Sequence, residues 1–268
     1  MAFASPLPTE ASEAYYDQLG RPYYLSPDKL AGDYAAVRFE RELRLLRRLC
    51  PAGSVLDVGC STGAFLYQLG QRWPRAYQGL GIEVSGAAID YARERGVTVT
   101  SESLLTHDFQ GAAFDVVTFW AVLEHLADPG AFVRRAFEIL RPGGHCVVLV
   151  PNGKSLAMRW LGANYRYVLP QHVNYFEAPT LERLLVGAGF QSVAKGGSHF
   201  NPLVLWQDWR RGTNAGVSEN ERAELLRRTT HMKQAAWLRP AKVALGWVER
   251  ALAVAGLADN LWWAGRKP

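Results

Sequence analysis

Hydrophobic and polar positions alternate in two periods along this chain. Short β-branched or apolar runs recur at Ser54–Val58, Tyr77–Ile82, Val97–Thr100, Phe114–Phe119, His145–Val150, Phe190–Lys195 and Leu261–Ala264. Each is bounded by Gly, Pro or polar residues, the signature of buried strands. Between them lie stretches with helical spacing. Asp33–Leu49 carries Val37, Leu45, Leu46 and Leu49 and predicts one helix closed by Pro51-Ala52-Gly53. A helix starts at Ala64. Ser85 caps a helix that stops at Gly96, and Asp128-Pro129 opens one that runs to Leu140 before an Arg141-Pro142-Gly143-Gly144 turn. Leu156–Leu161 is a short helix, and Thr180 caps one that ends at Gly187 or Gly189. Ser218-Glu219-Asn220-Glu221 is a capping box for a helix to Lys233, and Pro240 opens a last one with apolar positions Ala244, Trp247, Val248, Ala251, Leu252 and Ala255. Strands alternating with helices predict an α/β domain with a parallel, doubly wound sheet.

The most informative junction is Ser54-Val55-Leu56-Asp57-Val58-Gly59-Cys60-Ser61-Thr62-Gly63-Ala64. A strand ends in an acid, turns through two glycines and enters a helix, whose first N–H groups and dipole face the turn. A second strand then ends in Glu83, and an acid at that tip suits a ribose diol. Three chemistries share these letters. A dinucleotide fingerprint needs glycine where Ser61 and Ala64 stand. Gly59-Cys60-Ser61-Thr62-Gly63 spells a nucleophile elbow with Ser61 as nucleophile, but that turn follows several strands and an oxyanion loop, and only a helical segment lies upstream. The pattern D-x-G-x-x-x-G with an acid at the next strand tip also accounts for Asp57.

Composition narrows the class. The 268 residues are 49% hydrophobic, enough for one large domain, and no apolar run is long enough to span a bilayer. The N-terminus lacks a basic segment followed by an apolar one, so a cytoplasmic protein is expected. Cys50, Cys60 and Cys146 follow no disulfide or zinc pattern. Residues 201–268 hold 11 Lys/Arg against 6 Asp/Glu, which is the whole +5 excess, and six of the nine Trp.

Val55-Leu-Asp-Val-Gly-Cys, Phe114-Asp-Val-Val, Leu123-Glu-His-Leu-Ala-Asp-Pro and Leu140-Arg-Pro-Gly-Gly, ending in Val150-Pro-Asn, resemble the core of the class I S-adenosylmethionine-dependent methyltransferases. The subgroup they resemble includes the ubiquinone-biosynthesis O-methyltransferases. The likeness covers roughly residues 35–200, and Ala258–Lys267 resembles the last strand of that fold. It implies a Rossmann-like seven-stranded sheet, mostly parallel with an antiparallel last strand. It divides one domain into an N-terminal helical flap (1–50), a core (54–200), a helical cap insertion (201–257) and the last strand (258–268).

The resemblance also implies roles. The cofactor would be S-adenosyl-L-methionine, with Asp57, Gly59, Cys60, Ser61 and Gly63 around its methionine moiety and Glu83 on the ribose. Val84 would pack on adenine, Glu102, Ser103 and Leu104 would face its edge, and Trp120 would lie by the methionine end. Methyl transfer needs alignment and water exclusion, and an acceptor hydroxyl can need a base; His125 and His172 are the candidates. Some ubiquinone-pathway relatives bind a divalent cation through an acid three residues before the Glu-His pair. Ala121 stands there, so no catalytic metal is expected. The aromatic-His stretch after the fifth strand supplies Tyr165, Tyr167, Asn174 and Tyr175 as acceptor contacts. Apart from the resemblance, the clustered tyrosines at Tyr15-Tyr16 and Tyr23-Tyr24 have two readings, a flap over the cofactor or packing against the core helix.

The expected function is methyl transfer to a small-molecule acceptor, an oxygen nucleophile in preference to nitrogen or carbon, because the N/D-P-P-Y/F motif is replaced by Trp120-Ala121-Val122-Leu123. The alternatives are a non-catalytic or regulatory cofactor-binding protein and a nicotinamide oxidoreductase. No nucleic-acid-binding module accompanies the basic charge, so none is expected as partner. The chain is read as a monomer or homodimer. Its C-terminal insertion has three partners open to it: the domain itself, a second subunit, or a peripheral contact with a membrane. As a cap over the acceptor pocket, it would suit an apolar or amphiphilic acceptor.

Overall fold

The computed structural model describes residues 2–3, 24–111, 113–169, 171–211, 221, 224–225, 227–230 and 239–268. The tyrosine pair Tyr15-Tyr16, Tyr23 and the capping box at Ser218 lie outside them, as do several residues of the helix expected to reach Lys233. The strands are β1 (Ala2–Phe3), β2 (Gly53–Val58), β3 (Tyr77–Ile82), β4 (Val99–Thr100), β5 (Phe114–Trp120), β6 (Leu140–Pro151), β7 (Asn174–Tyr175), β8 (Gln191–Ser198) and β9 (Asn260–Arg266). The helices are α1 (Pro27–Asp33), α2 (Glu40–Leu49), α3 (Ala64–Arg72), α4 (Gly86–Glu94), α5 (Pro129–Ile139), α6 (Leu156–Leu161), α7 (Ala178–Gly187), α8 (Pro202–Arg211) and α9 (Arg239–Val254).

Seven strands form one sheet in the order β4-β3-β2-β5-β6-β9-β8. All neighbours are parallel except β9, which runs antiparallel to β6 and β8. The expected sheet, with its antiparallel last strand, is the sheet observed. Period-two alternation sends Leu56, Val117 and Val148 to one face, under α5 and α7, and Val55, Val116 and Val147 to the other, under α2, α3 and α4. Both faces are therefore covered, and the ligand edge lies at the carboxyl ends of β2, β3 and β5.

Five expected elements differ, among them β8, which runs to Ser198, past the expected end at Lys195. The helix over Asp33–Leu49 is broken at residues 34–39. The Gln68 side-chain amide donates to the carbonyls of Asp33 (2.9 Å) and Ala35 (3.2 Å), taking acceptors that a continuous helix would use. The Arg141–Gly144 turn lies inside β6, where Leu140 already pairs with Phe114 and Gly143, at φ +82°, accommodates the irregular register that follows. Thr180 is not the cap of α7. Glu177 is, and Thr180 Oγ1 closes a reciprocal capping box by accepting the Glu177 N–H at 2.9 Å. Lastly, the expected apolar face of α9 points outward, with Trp247 66% exposed. The helix instead lies on β8 through Ala253, so close to Gly197 that a Cβ there would stand 3.2 Å from the Ala253 Cα.

Among the described residues three long-range ion pairs hold the C-terminal insertion, one of them Arg227 Nε to Asp28 Oδ1 at 2.9 Å. Arg41 of α2 grips Glu249 of α9 with both guanidinium arms, Nη2 to Oε2 at 2.7 Å. Arg166 is buried against Asp208 of α8, with Nε and Nη2 donating to Oδ1 at 2.8 and 2.6 Å and its backbone N–H to Oδ2 at 3.0 Å. Among the described residues no helix is long and apolar enough to cross a membrane.

Candidate cofactor and acceptor site

The β2–α3 turn is held in place by backbone bonds to the next strand. The N–H groups of Gly59 and Cys60 both donate to the Ile82 carbonyl, at 2.8 and 3.0 Å. Gly59 and Gly63 sit at φ +68° and +75°, conformations that cost a side chain. A Cβ on Gly59 would also stand 2.6 Å from Val122 Cγ2, so the loop after β5 closes directly on the turn. Ser61 adopts φ +51° with its N–H aimed at Glu83 Oε2, 2.7 Å away. Glu83 Oε1 accepts the N–H groups of Val84 (2.8 Å) and Ser85 (3.0 Å). Three of the roughly four acceptor positions of this carboxylate are thus filled from the backbone. A ribose at this carboxylate would find one free lone pair, and its second hydroxyl would compete with the Ser61 N–H.

Asp57 is buried at the end of β2, where its carboxylate accepts the Thr118 hydroxyl at 2.6 Å. Burial pushes its pKa up to about 7, the Thr118 bond opposes that, and the neighbouring Glu83 charge adds to it. Three more hydroxyls at this edge, Ser61 Oγ, Thr62 Oγ1 and Ser85 Oγ, are buried without any hydrogen-bond partner. Orphaned buried hydroxyls are rare, and three around one turn fit a polar ligand such as the expected cofactor. Tyr34, which the sequence reading passed over, latches the N-terminal segment to the turn by donating to the Thr62 carbonyl at 2.5 Å. Its ring lies edge-on to Tyr67 and Tyr91 beneath the Arg95 guanidinium, and burial raises its pKa to about 12.

The four residues expected at the adenine differ in exposure. Glu102 is exposed and turned to His107, with Oε2 2.8 Å from Nδ1. The Leu104 side chain is wholly buried in the core. Val84 and Ser103 stay partly exposed at the edge. Trp120 packs edge-on to Phe65 at 5.2 Å, and its indole N–H is buried without a partner.

His125 and His172, 47 positions apart in sequence, are brought together with ring centroids 4.7 Å apart. His125 Nδ1 lies 3.0 Å from the Gln171 carbonyl, which fixes Nδ1 as the protonated nitrogen and leaves Nε2 as the basic one. Burial lowers the His125 pKa to about 4, the Gln171 bond working against it. Glu124 completes the group. It is 1% exposed, neither oxygen has a hydrogen-bond partner, and burial raises its pKa to about 8. One ligand atom from each of Glu124, His125 and His172 falls within 4.8 Å of the others. At neutral pH this is a protonated carboxyl beside neutral imidazole, a device for holding and moving protons. As a donor set, one carboxylate and two imidazoles lack the oxygen-rich shell of magnesium.

The four expected acceptor contacts separate. Tyr165 is buried with Leu161, Val204 and Leu205, and burial drives its pKa up. Asn174 is buried too, with Nδ2 donating to the carbonyls of Leu123 (3.3 Å) and Leu126 (2.7 Å). Each side chain holds structure, and Asn174 clamps the turn that presents Glu124 and His125. The Tyr175 hydroxyl is bonded to the Leu169 backbone, accepting at 3.2 Å and donating at 3.3 Å. Tyr167 alone of the four has an exposed side chain, at 43%. Glu124, Thr118 and Tyr34 are further residues that the structure places at the candidate site, and only Glu124, adjacent to His125, carried a sequence signal.

Comparison with known proteins follows the same lines. A family model described as a methyltransferase domain matches residues 34–195. A ubiquinone biosynthesis O-methyltransferase of Chelativorans sp. (strain BNC1) is 30% identical over 218 residues, 74% of this chain and 82% of that one. A probable S-adenosylmethionine-dependent methyltransferase of Mycobacterium tuberculosis is 30% identical over 179 residues, 65% of this chain and 63% of that one. Among solved structures, the [4+2]-cyclase SpnF superposes with a TM-score of 0.62 at 18% identity, covering 100% of this chain and 99% of that one. The N-methyltransferase NodS from Bradyrhizobium japonicum WM9, in complex with S-adenosyl-L-homocysteine, gives 0.54 at 18% identity, covering 94% and 98%.

Proposed function

This chain belongs to the class I S-adenosylmethionine-dependent methyltransferases, and from that membership we propose that it methylates an oxygen of a small-molecule acceptor. Membership makes it an enzyme that uses S-adenosylmethionine, which sets aside the non-catalytic and nicotinamide readings. The observation that carries the finer proposal is the buried Glu124–His125–His172 group at the carboxyl edge, with no hydrogen-bond partner on either Glu124 oxygen. A hydroxyl must lose its proton as it gains the methyl group, and this buried group offers a proton acceptor in a dry pocket. The O-methyltransferase relatives support the same choice.

The cofactor, when bound, supplies a methyl group already made electrophilic by its sulfonium. The protein then has to align and desolvate. Glu83 holds the ribose, and the Asp57–Gly63 turn with its orphaned hydroxyls holds the methionine moiety. Asp57, once ionised, offsets the positive charge of the ligand. His125 Nε2 accepts the acceptor's hydroxyl proton, with the Gln171 carbonyl steadying the ring through Nδ1. Glu124, ionised above about pH 8, takes up the charge that proton brings. His172 packs the ring in place. No metal is required in this scheme.

We place the enzyme in the cytoplasm as a monomer or homodimer, with residues 201–257 as a cap and no nucleic-acid partner. The test is transfer of a labelled methyl group to hydroxyl-bearing extract components. A labelled, base-stable ether supports the reading; label found only on nitrogen or carbon overturns it.

A further inference from the structure

On the face of the sheet opposite α5 and α7, a cavity of about 1140 Å³ opens between α2 and α9. Its size is at or above the upper end of small-molecule sites, about 300–1,000 Å³. Leu45, Trp73, Trp120, Leu149, Val243 and Trp262 give it apolar walls. Trp73 packs on Tyr77 at the amino end of β3, while Trp120 and Ser198 end β5 and β8. The trough therefore runs along the sheet toward the edge that carries the glycine turn.

Its charge is one-sided. Arg41, Arg44, Arg47, Arg48 and Arg250 line it, against two acids, Glu42 and Glu249. Glu249 is already committed to the Arg41 fork and to the His199 N–H, at 2.6 Å. Glu42 is buried beside the charges of Arg38 and Arg41. Arg48 and Arg250 are exposed and form no ion pair among the described residues, and the Arg250 guanidinium lies 5.5 Å from the Trp247 ring centroid. A purely polar anion would leave the tryptophan and leucine walls unmatched, and a neutral hydrocarbon would leave Arg48 and Arg250 unmatched, since Arg41 pairs with Glu249, Arg44 with Glu40 and Arg47 with the Pro51 carbonyl.

We propose that this trough binds an anionic amphiphile: a long apolar chain along the sheet face, with a carboxylate or phosphate head at the arginine rim. The inference goes beyond the proposed function, because it is read without cofactor and without methyl transfer.

The test uses the full chain and cis-parinaric acid, a fluorescent long-chain carboxylate, with energy transfer from the wall tryptophans as readout. Dodecanoate, dodecanol and dodecyltrimethylammonium, below their micellar concentrations, serve as displacers. Saturable transfer is expected, with dodecanoate displacing the probe at least about tenfold better than either of the others. Gly246 faces the trough from α9, with nothing within 4 Å of the place a Cβ would take. Gly246→Phe therefore fills the trough without strain and is expected to weaken the probe by about tenfold or more while thermal stability holds. The exposed pair Arg48→Glu with Arg250→Glu is expected to erase the preference for dodecanoate. Absence of saturable transfer, equal displacement by dodecanol, or full affinity in a folded Gly246→Phe variant would overturn the proposal.

Discussion

The carboxylate of Glu83 accepts the backbone N–H of Ser61 at 2.7 Å, so the acid expected on the ribose also fixes the turn expected around the methionine moiety. Glu83→Ala therefore removes a ligand contact and a turn tether together. S-adenosylmethionine binding is expected to weaken by about 1.5–3 kcal/mol, the range for charge-assisted hydrogen bonds. Titration calorimetry on the folded variant is the check, and unchanged affinity removes Glu83 from the site.

The buried acids make free-protein stability depend on pH in a defined direction. Glu124 has its pKa raised to about 8 in the folded state, so its contribution is fully present below the unfolded value near 4.5 and is lost as pH rises through about 8. Glu124→Gln is expected to gain stability relative to wild type between pH 5 and 9, by on the order of a few kcal/mol. His125 runs the other way: its lowered pKa costs stability as pH falls from 6.5 toward 4. Urea midpoints across this range read both.

Catalysis carries the same signature. Wild-type turnover is expected to climb with an inflection near pH 8 as Glu124 ionises, and Glu124→Gln to flatten that limb. Asp57, at about 7, acts on the other parameter: cofactor affinity is expected to improve as pH rises through 7, and Asp57→Asn to abolish that dependence. A pH profile of kcat beside one of cofactor Kd separates the two acids.

Arg166→Met leaves the Asp208 carboxylate buried and unpaired, and is expected to cost about 3–5 kcal/mol. Replacing both residues with apolar ones of similar volume is expected to recover most of that. The same size of loss in the double variant would show that the pair does more than compensate its own burial.

Activity is expected to persist in excess chelator. Complete loss, restored by magnesium, would overturn the metal-free scheme; loss restored only by a transition ion would instead assign Glu124, His125 and His172 as its ligands.

The sheet and the cofactor turn were legible because their signals are local. Strand periodicity, two glycines and an acid at a strand tip each act within a few residues. What escaped the sequence depends on distant partners. The break after Asp33 comes from Gln68, and the outward face of α9 follows from an ion pair between Arg41 and Glu249, 208 residues apart. The last turn of β8 was hidden by Gly196 and Gly197, which weaken a strand pattern but leave room for the Trp262 ring and for α9. Asn174 and Tyr165 read as acceptor contacts because they stand in the aromatic-His stretch after the fifth strand, whose long-range partners the sequence does not show. For Asn174 those partners are the carbonyls of Leu123 and Leu126, about 50 positions upstream.

A crystal grown with S-adenosylhomocysteine tests the central claim most directly. The account predicts a ribose hydroxyl on Glu83, the homocysteine moiety along Asp57–Gly63 with Ser61 or Thr62 bonded to it, and the sulfur opening toward His125. A ribose bound away from Glu83, or a sulfur facing away from the Glu124–His125–His172 group, would contradict it.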